Sequence, residues 1–419
     1  ATARDPGYAI IAAFPSSVLE ARQGAAFLDG RRLDSRPFAA LKRLAAARHI
    51  AGAADAPPFA TGLLGFLGYE MGAELEPAAA GPASPFALPD LAFGAYDAAA
   101  VFDVAARRAA VHARTEASAD RLVEALGAAP ARIAPLEAGL DVSSNFDAPS
   151  YRRAVAEVMA LIRDGALFQA NLAQQFSVAA PDAYSVFARL MQGDAAFGAY
   201  LCYAEGKIVS NSPERFFSLR RDGACLRIMA EPIKGTRPRG ATPQEDARLA
   251  ADLLSDSKER AENVMIADLT RNDLSRICED GSIREEAICE LSTQTTVHHL
   301  ASRISGVLRP GLDAADALTA LFPCGSITGA PKIEAMRVIA RMEKIGRGPY
   351  CGAIGYIDDG GAADFSVAIR TLIVESGRAV FPAGGGVTLR SDPQAEYEET
   401  LVKARAMLEA LGVRRGAAA

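Results

Sequence analysis

A lysine fixed between a proline and a glycine is the residue of this sequence whose type and spacing first suggest chemistry. The segment 231–236 reads Glu-Pro-Ile-Lys-Gly-Thr and follows a short apolar run at 225–229. Pro232 restricts φ and Gly235 permits an unusual turn, so the Lys234 ammonium is brought to a fixed point. Inside a cavity that excludes water, this group would lose its proton more readily and act as a nucleophilic amine. The segment 234–239 also contains three cationic residues, and an exposed basic loop is the alternative.

Two glutamates, Glu262 and Glu399, are candidate ligands for a cation. A helix predicted to begin near residue 257 places Glu262 on one face with apolar residues three, four and seven positions later, where its carboxylate needs a cation. A second helix, predicted from residue 392, carries Glu399 away from its apolar stripe, with Lys403 four residues later. On the residues alone, Arg271 or water could satisfy Glu262, and Glu399 could form an exposed ion pair with Lys403.

Arg370 and a run of glycines are candidate anion-binding groups. Residues 365–374 predict a strand with two apolar faces, and a guanidinium inside such a strand needs a carboxylate from the protein or from a substrate. Gly384, Gly385 and Gly386 could present backbone N–H groups to the same anion or form a flexible turn.

Two further segments carry polar side chains at defined positions. The segment 325–331 leads into a helix predicted from residue 332, which places Thr328 and free N–H groups near a positive helix end. In a strand predicted from residue 168, Gln169 and Asn171 alternate with apolar residues, so the two amides share one face.

The elements that must position these residues belong to a chain long enough for a large core. It has 419 residues, 50% of them hydrophobic, and a formal net charge of −6, which argues against nucleic acid or an anionic membrane as a partner. Six cysteines without CxxC spacing predict reduced thiols in a cytoplasmic protein and give no zinc motif. The apolar run at 8–14 is too short for a membrane or secretory segment and predicts a strand.

The chain divides into a strand-rich N-terminal lobe at 1–126, a connector at 127–146 and a catalytic region at 147–415. We expect the catalytic region and the N-terminal lobe to form one large domain. Asp29 and Gly30 predict a hairpin turn, and residues 38–49 predict a helix. Another helix is predicted from an Asp147 N-cap to the glycine at 165.

Several of these segments occur in an order and spacing that resembles one enzyme family; they lie at 231–236, 261–273, 322–332, 368–371 and 399–404. The family is that of the chorismate-utilising enzymes, which includes anthranilate, aminodeoxychorismate, isochorismate and salicylate synthases. The resemblance covers roughly residues 145–412, about two thirds of the chain, and several motifs in one order are a specific signal. It implies an α+β fold with two facing, mainly antiparallel β-sheets flanked by helices, an α/β/β/α sandwich.

The resemblance assigns the charged groups to a chorismate site. Glu262 and Glu399 match glutamates that bind Mg²⁺, a cation that prefers oxygen ligands and keeps several waters. Arg370 matches an arginine that binds the enolpyruvyl carboxylate of chorismate. Tyr350 matches a tyrosine that assists in binding the same carboxylate. Lys403 matches a residue that pairs with a carboxylate of the substrate.

The resemblance also names an acid and a histidine. Glu214, in a Ser-Pro-Glu motif, matches the acid that protonates the leaving C4 hydroxyl. An ordinary glutamate is ionised at pH 7, so this role requires a buried carboxyl with a raised pKa. His299 matches a pocket histidine beside the leaving group, although a histidine in an apolar run is more often a hydrogen-bonded core residue.

Lys234 and Gln169 select the reaction within the family. Aminodeoxychorismate synthases carry lysine at the position matching 234, whereas anthranilate synthases carry alanine. Isochorismate and salicylate synthases carry a water-activating lysine where this chain has Gln169, and glutamine cannot act as that base. The resemblance therefore implies that Lys234 attacks C2 of chorismate while Glu214 protonates the C4 oxygen. Ammonia then enters at C4 and expels the lysine, giving 4-amino-4-deoxychorismate, a precursor of p-aminobenzoate and folate.

The sequence also bears on where the ammonia comes from and on which other activities stay open. The sequence has neither a GxCxG nucleophile motif nor a downstream His-x-Glu, so we expect ammonia from a separate glutamine amidotransferase subunit. Three alternatives stay open: an anthranilate synthase component I, an isochorismate-forming enzyme, and a catalytically silent scaffold that keeps the fold.

Overall fold

The computed structural model of the protein describes residues 7–50, 57–128, 132–135, 140–179, 182–193, 196–295 and 297–413. Within these ranges the chain forms ten α-helices and 22 β-strands. The helices are α1 (Pro37–Arg48), α2 (Gly72–Leu75), α3 (Glu116–Leu126), α4 (Ala148–Arg163), α5 (Ala183–Leu190), α6 (Pro243–Ser255), α7 (Ser257–Ser275), α8 (Ala314–Leu321), α9 (Lys332–Glu343) and α10 (Pro393–Leu411).

The strands alternate with these helices along the chain. They are β1 (Tyr8–Ala12), β2 (Ser17–Arg22), β3 (Ala25–Leu28), β4 (Arg31–Arg32), β5 (Gly62–Leu67), β6 (Leu91–Tyr96), β7 (Ala98–Asp103), β8 (Arg108–Ala113), β9 (Val142–Ser144), β10 (Gln169–Ala179), β11 (Phe197–Cys202), β12 (Lys207–Ser212), β13 (Arg215–Asp222), β14 (Cys225–Ala230), β15 (Ile233–Pro238), β16 (Arg284–Thr293), β17 (Val297–Val307), β18 (Gly329–Ala330), β19 (Ala353–Asp358), β20 (Ala363–Val367), β21 (Thr371–Glu375) and β22 (Arg378–Val387).

The strands form three antiparallel sheets. The largest has 12 strands in the order β15-β17-β14-β13-β20-β19-β5-β6-β2-β3-β4, with β16 paired to β17. The second has seven strands in the order β11-β12-β21-β22-β10-β18, with β9 paired to β10, and a three-stranded sheet has the order β1-β7-β8. Strands that precede residues 127–146 and strands that follow them therefore share the largest sheet.

The two large sheets pack against each other through apolar side chains. One buried cluster joins Phe66 and Ile354 of the 12-stranded sheet to Ile208 and Ile373 of the seven-stranded sheet. Helices α1 and α8 join the core of the larger sheet, whereas α4, α5, α9 and α10 pack on the smaller one. The expected α+β fold, with two facing antiparallel sheets flanked by helices, is confirmed. No helix in the described ranges combines the length and apolar composition needed to cross a lipid bilayer.

Local signals in the sequence set several element boundaries. Asp29 and Gly30 adopt positive φ in the tight turn between β3 and β4, as the hairpin signal predicts. Asp147 caps α4 by accepting a hydrogen bond of 2.7 Å from the Ser150 N–H, and Gly165, at φ +82°, follows the end of the helix. The helix predicted at 38–49 is α1. These local predictions are confirmed.

The continuous strand predicted at 365–374 is wrong, and the error concerns Arg370. The chain leaves the larger sheet at the end of β20 and enters the smaller sheet at the start of β21. Arg370 lies between them in a left-handed conformation, with φ +49°. Both halves are apolar because each belongs to a different buried sheet, and an apolar pattern cannot reveal a change of sheet. Arg370 therefore lies at the crossover and not inside a ladder.

Candidate active site

Lys234 is presented by a bulge at the edge of the larger sheet. Strand β15 pairs with β17, and the register shifts between Lys234 and Thr236 because Gly235 adopts φ +81°. The partly buried Lys234 side chain donates a hydrogen bond of 2.8 Å from Nζ to the Ser326 carbonyl. Its ammonium lies within electrostatic reach of Glu262 and Glu399. The exposed-loop alternative for Lys234 is therefore wrong.

Glu214 occupies a buried position close to the same residue. Its side chain is 4% exposed, and its Oε1 accepts hydrogen bonds from the Ser326 hydroxyl at 2.7 Å and from the Ile233 N–H at 3.4 Å. Burial raises the pKa of Glu214, opposed by the Ser326 hydrogen bond and the charge of Lys234. The carboxyl therefore has the environment that a general acid requires, and the role itself stays a prediction.

His299 is a buried and neutral imidazole. Burial, together with the charge of Arg370, lowers the pKa of His299 to about 4. Its Nδ1 lies 2.9 Å from the Thr236 hydroxyl, so the ring has the hydrogen bond expected of a core histidine. It also lies opposite the Lys234 bulge in the β15–β17 pairing. A neutral ring can exchange hydrogen bonds with a leaving group but carries no charge there.

Arg370 is a largely buried guanidinium that lacks a carboxylate partner within the described ranges. Burial lowers the pKa of Arg370, and no ion pair or side-chain hydrogen bond to its guanidinium occurs in those ranges. An anionic group of a ligand would stabilise such a guanidinium by pairing with its charge. Tyr350 lies on the neighbouring segment, because the Cys351 N–H bonds to the carbonyl of residue 368 at 2.9 Å. The Tyr350 ring is buried and packs 5.6 Å from the Arg347 guanidinium.

The three glycines at 384–386 lie in strand β22, so the flexible-turn alternative is wrong. They pair with residues 171–173 of β10. A Cβ on Gly386 would overlap the Gln169 amide and lie 3.6 Å from Lys234 Nζ, and a Cβ on Gly385 would lie 2.9 Å from Glu396 Oε2. Glycine at these positions lets charged and amide side chains approach the strand.

Gln169 presents an amide with unused hydrogen-bonding capacity. The residue is fully buried, and neither Nε2 nor Oε1 has a partner among the described residues. Buried polar atoms without partners are costly, so a ligand or water at this point would stabilise the amide. The neighbouring Asn171 Oδ1 is in the same condition, as expected from the shared face of β10.

Three carboxylates form the acidic side of the site: Glu262, Glu399 and Glu396, a residue that the sequence analysis missed. Burial raises the pKa of both Glu262 and Glu396; the charge of Glu396 raises the pKa of Glu262 further, and the charge of Glu399 raises the pKa of Glu396. Glu262 Oε1 is buried without a hydrogen-bond partner among the described residues, and Lys258 Nζ lies 3.8 Å away. The spacing of three residues on α10 was the signal for Glu396, because it places Glu396 and Glu399 next to each other on one side of the helix.

Lys403 and Thr328 make contacts within the protein. Lys403 Nζ lies 2.6 Å from Glu399 Oε1 and donates to the Gly384 carbonyl at 2.9 Å, which is the predicted i,i+4 pair. Burial raises the pKa of Glu399, but the charge and hydrogen bond of Lys403 outweigh it and lower the pKa overall. Thr328 is buried and donates from its hydroxyl to the Cys324 carbonyl at 2.8 Å.

The carboxylates are compatible with a magnesium ion. In the part of the chain that the structure describes, no group of three or more His, Cys, Asp or Glu side chains is arranged to hold a metal ion. Mg²⁺ needs only one or two protein carboxylates when waters and an anionic substrate complete its shell. The Glu262 oxygen that lacks a hydrogen bond, and Glu399, which is reached by the charges of Lys234 and Lys258 as Glu262 is, are oxygen donors of that kind.

Comparison with known proteins gives the family context of this site. A family model described as chorismate binding enzyme matches residues 1–409. The chain is 38% identical over 360 residues to aminodeoxychorismate synthase component 1 of Klebsiella aerogenes, covering 84% of the chain and 78% of that protein. It is also 38% identical over 399 residues to anthranilate synthase component 1 of Streptomyces coelicolor, covering 89% of the chain and 76% of that protein. Against two longer Streptomyces relatives, both called aminodeoxychorismate synthase, the chain spans half of their length or less.

A solved structure agrees with these sequence matches. Anthranilate synthase component I from Streptococcus pneumoniae TIGR4 superimposes with a TM-score of 0.85 at 32% identity, covering 96% of this chain and 92% of that one. Relatives with two different names match at the same identity, so the side chains of the site must decide between their reactions.

Proposed function

The chain belongs to the family of chorismate-binding enzymes, and we propose that it converts chorismate and ammonia to 4-amino-4-deoxychorismate. The observation that carries this proposal is the position of Lys234, which binds the Ser326 carbonyl while the Ser326 hydroxyl binds Glu214. Ser326 thereby contacts both the nucleophilic amine and the buried acid. Position 169 is a glutamine, so it offers no base to activate water for attack at C2.

The first step joins Lys234 to the ring. The neutral amine forms a bond to C2, the ring double bonds shift and the C4–O bond breaks. The Glu214 carboxyl gives its proton to the departing oxygen, which leaves as water. The lysine nitrogen is then a secondary ammonium and Glu214 is ionised. His299 stays neutral beside the leaving group and exchanges hydrogen bonds with it.

The second step restores both side chains. Ammonia bonds to C4, the double bonds shift back, and the C2–N bond breaks so that Lys234 leaves as a neutral amine. The new ammonium at C4 returns a proton to the Glu214 carboxylate. Chorismate and ammonia thus yield aminodeoxychorismate and water, and pyruvate stays attached to the ring.

The remaining residues bind and orient the substrate. Arg370, without a carboxylate partner in the described ranges, takes the enolpyruvyl carboxylate together with Tyr350. Lys403 takes a second substrate carboxylate, and the Gln169 amide faces the ring. Thr328 and the glycines at 384–386 form the wall. Glu262 and Glu399 would hold Mg²⁺, which supplies positive charge to the ring carboxylate of chorismate when bound.

The proposal includes a partner and a cellular setting. Ammonia comes from a separate glutamine amidotransferase subunit; the name component 1 of the Klebsiella relative supports a second component. The product feeds p-aminobenzoate and folate biosynthesis in the cytoplasm. All six cysteines are free thiols, which suits a reducing compartment.

Anthranilate formation is the second candidate, because a relative with that name matches as well as one named for aminodeoxychorismate. Lysine at position 234, where anthranilate synthases carry alanine, favours the aminodeoxychorismate reaction. Isochorismate formation would proceed without ammonia, and a scaffold would bind chorismate without turnover.

The decisive experiment identifies the product. Purified protein is incubated with chorismate, Mg²⁺ and ammonium at high pH, and the products are analysed by mass spectrometry with and without an added aminodeoxychorismate lyase. We expect a product with the mass of aminodeoxychorismate that the lyase converts to p-aminobenzoate. Fluorescent anthranilate as the main product, or turnover without ammonium, would refute the proposal.

A further inference from the structure

Ser326 lies in a buried turn between the two reactive side chains. It belongs to a 3₁₀ turn at Gly325–Ile327 and is 1% exposed. Thr328 fixes the turn by donating from its hydroxyl to the Cys324 carbonyl, and Gly325 packs so closely on Leu269 that a side chain would not fit. The position of Ser326 is therefore set by the fold.

The hydroxyl and the backbone carbonyl of Ser326 each bind one of these two side chains. Its hydroxyl donates to Glu214 Oε1 at 2.7 Å, and its carbonyl accepts from Lys234 Nζ at 2.8 Å. We infer that Ser326 is a positioning residue that aligns the amine of Lys234 with the acid of Glu214 and selects the oxygen from which the proton leaves. This inference rests on the proposed function.

The selection of an oxygen follows from the hydrogen bonds. Glu214 Oε1 accepts from the Ser326 hydroxyl and from the Ile233 N–H, so both of its lone pairs have donors. With the Ser326 hydroxyl donating to Oε1, the proton of Glu214 is placed on Oε2. Without the hydroxyl, the proton could sit on either oxygen, and only one of them faces a given leaving group.

The Ser326 hydroxyl oxygen can itself accept a hydrogen bond, from the thiol of Cys324. Cys324 Sγ lies 3.3 Å from Ser326 Oγ, and burial raises the pKa of Cys324 to about 12, so the thiol keeps its hydrogen and can donate. A chain of donors then runs from Cys324 through Ser326 to Glu214. The other charged groups that act on Glu214 are Lys234 and Lys403.

Two effects of Ser326→Ala follow. The hydroxyl favours the ionised carboxylate, so its loss moves the titration of Glu214 to higher pH. Misalignment of the acid lowers kcat about tenfold to hundredfold, whereas chorismate binding, which uses other groups, keeps its KM within about threefold. Ser326→Thr keeps the hydroxyl and should restore the Glu214 titration and kcat to their wild-type values.

The titration can be read without any turnover. Carbon-13 NMR of labelled glutamate carboxyls follows Glu214, whose signal is identified by its absence in Glu214→Gln. Wild type, Ser326→Ala and Ser326→Thr are compared with Ser185→Ala, which removes a buried hydroxyl that donates to Asp182 at the start of α5. If Ser326→Ala does not fold, Ser326→Cys keeps the volume and replaces a strong donor by a weak one.

We expect an upward shift of the Glu214 titration in Ser326→Ala, or in Ser326→Cys, and wild-type values in Ser326→Thr and Ser185→Ala. An unchanged Glu214 titration together with an unchanged kcat would overturn the inference, as would failure of a folded Ser326→Thr to restore kcat. Failure of the proposed function would show differently, as the absence of aminodeoxychorismate from the wild-type reaction.

Discussion

The imidazole of His299 lies within electrostatic reach of the Arg370 guanidinium, and burial together with that charge lowers the pKa of His299 to about 4. The ring therefore carries no charge at neutral pH. Its Nδ1 is engaged by the Thr236 hydroxyl at 2.9 Å. A neutral imidazole is a poor source of protons, which leaves Glu214 as the acid of the proposed mechanism.

This relationship predicts how His299 titrates. NMR of the imidazole protons, with the signal assigned by its loss in His299→Gln, should show a neutral ring down to about pH 5. Arg370→Gln removes the neighbouring charge, and the pKa of His299 should rise toward its ordinary value of 6.5. The exposed Arg378 provides the control, Arg378→Gln, which should leave the titration unchanged. A wild-type His299 that titrates near 6.5 would contradict the buried, neutral ring.

Lys234→Ala should abolish turnover and keep chorismate binding. The amine forms the bond to C2 in the proposed mechanism, so we expect turnover to fall at least about 10³-fold. Arg370 and the carboxylates remain, so the dissociation constant of chorismate, measured by calorimetry, should change less than tenfold. The control is Lys207→Ala, because Lys207 also donates to a backbone carbonyl, at 2.9 Å, outside the site. Unchanged turnover in Lys234→Ala would exclude the covalent route.

The sequence predicted the local features of the site because these depend on neighbouring residues. The bulge that presents Lys234 follows from Gly235, and the cap of α4 follows from Asp147. The resemblance of motifs supplied the layering of two facing sheets flanked by helices, which periodicity cannot provide. Element types and caps are local properties, whereas the pairing of distant strands is not.

The contacts that join the site could not be predicted in the same way. Ser326 meets Glu214 and Lys234 across 112 and 92 residues of chain, and only the packing of the elements brings them together. Glu396 was overlooked because its closeness to Gly385 depends on how α10 packs against β22. Arg370 was misplaced because its segment changes sheets, an event that leaves no periodic signal.

Gly386→Ala should impair catalysis while the protein stays folded. A Cβ at this position would overlap Gln169 Nε2, so the Gln169 amide must move, whereas Lys234 Nζ at 3.6 Å would be an ordinary contact. A displacement of about 1 Å of a group that positions the substrate costs roughly 10²-fold in rate, and we expect kcat/KM to fall by that order. Gly193→Ala is the control, because its Cβ would meet only the Leu190 carbonyl, at 3.5 Å. Equal kcat/KM in both variants would show that catalysis does not depend on the close approach of Gly386 to the Gln169 amide.

The buried pair of Arg347 and Glu343 predicts a non-additive effect on stability. Arg347 is 1% exposed, bonds Glu343 at 2.6 Å and also donates to the Asn171 carbonyl. Arg347→Met leaves a buried carboxylate unpaired, and we expect the free energy of unfolding to fall by about 3–5 kcal/mol. Adding Glu343→Leu should recover much of that loss, although the Ala173 N–H then loses its acceptor. Urea unfolding measures both variants. A double variant no more stable than Arg347→Met would contradict the interpretation.

Glu70 predicts a dependence of stability on pH. Its carboxyl accepts hydrogen bonds from the Arg347 N–H at 2.6 Å and the Gly348 N–H at 3.0 Å, yet burial raises the pKa of Glu70 to about 7, and Asp90 adds to this effect. The folded protein therefore holds the proton more tightly than the unfolded chain. The contribution to stability is complete below pH 4.5, the ordinary value, and is lost as the pH rises to about 7. The loss amounts to about 3 kcal/mol in the free energy of unfolding.

A comparison with Glu70→Gln isolates this contribution, because the amide does not titrate. We expect the stability of the wild type relative to Glu70→Gln, measured by urea unfolding from pH 4 to pH 8, to decline across that window and then level off. Glu124→Gln, at an exposed position of α3, is the matched control for replacing one glutamate by glutamine. A wild-type advantage that grows between pH 5 and pH 8 would reverse the sign of the linkage and show that the two backbone N–H groups outweigh the cost of burying the charge.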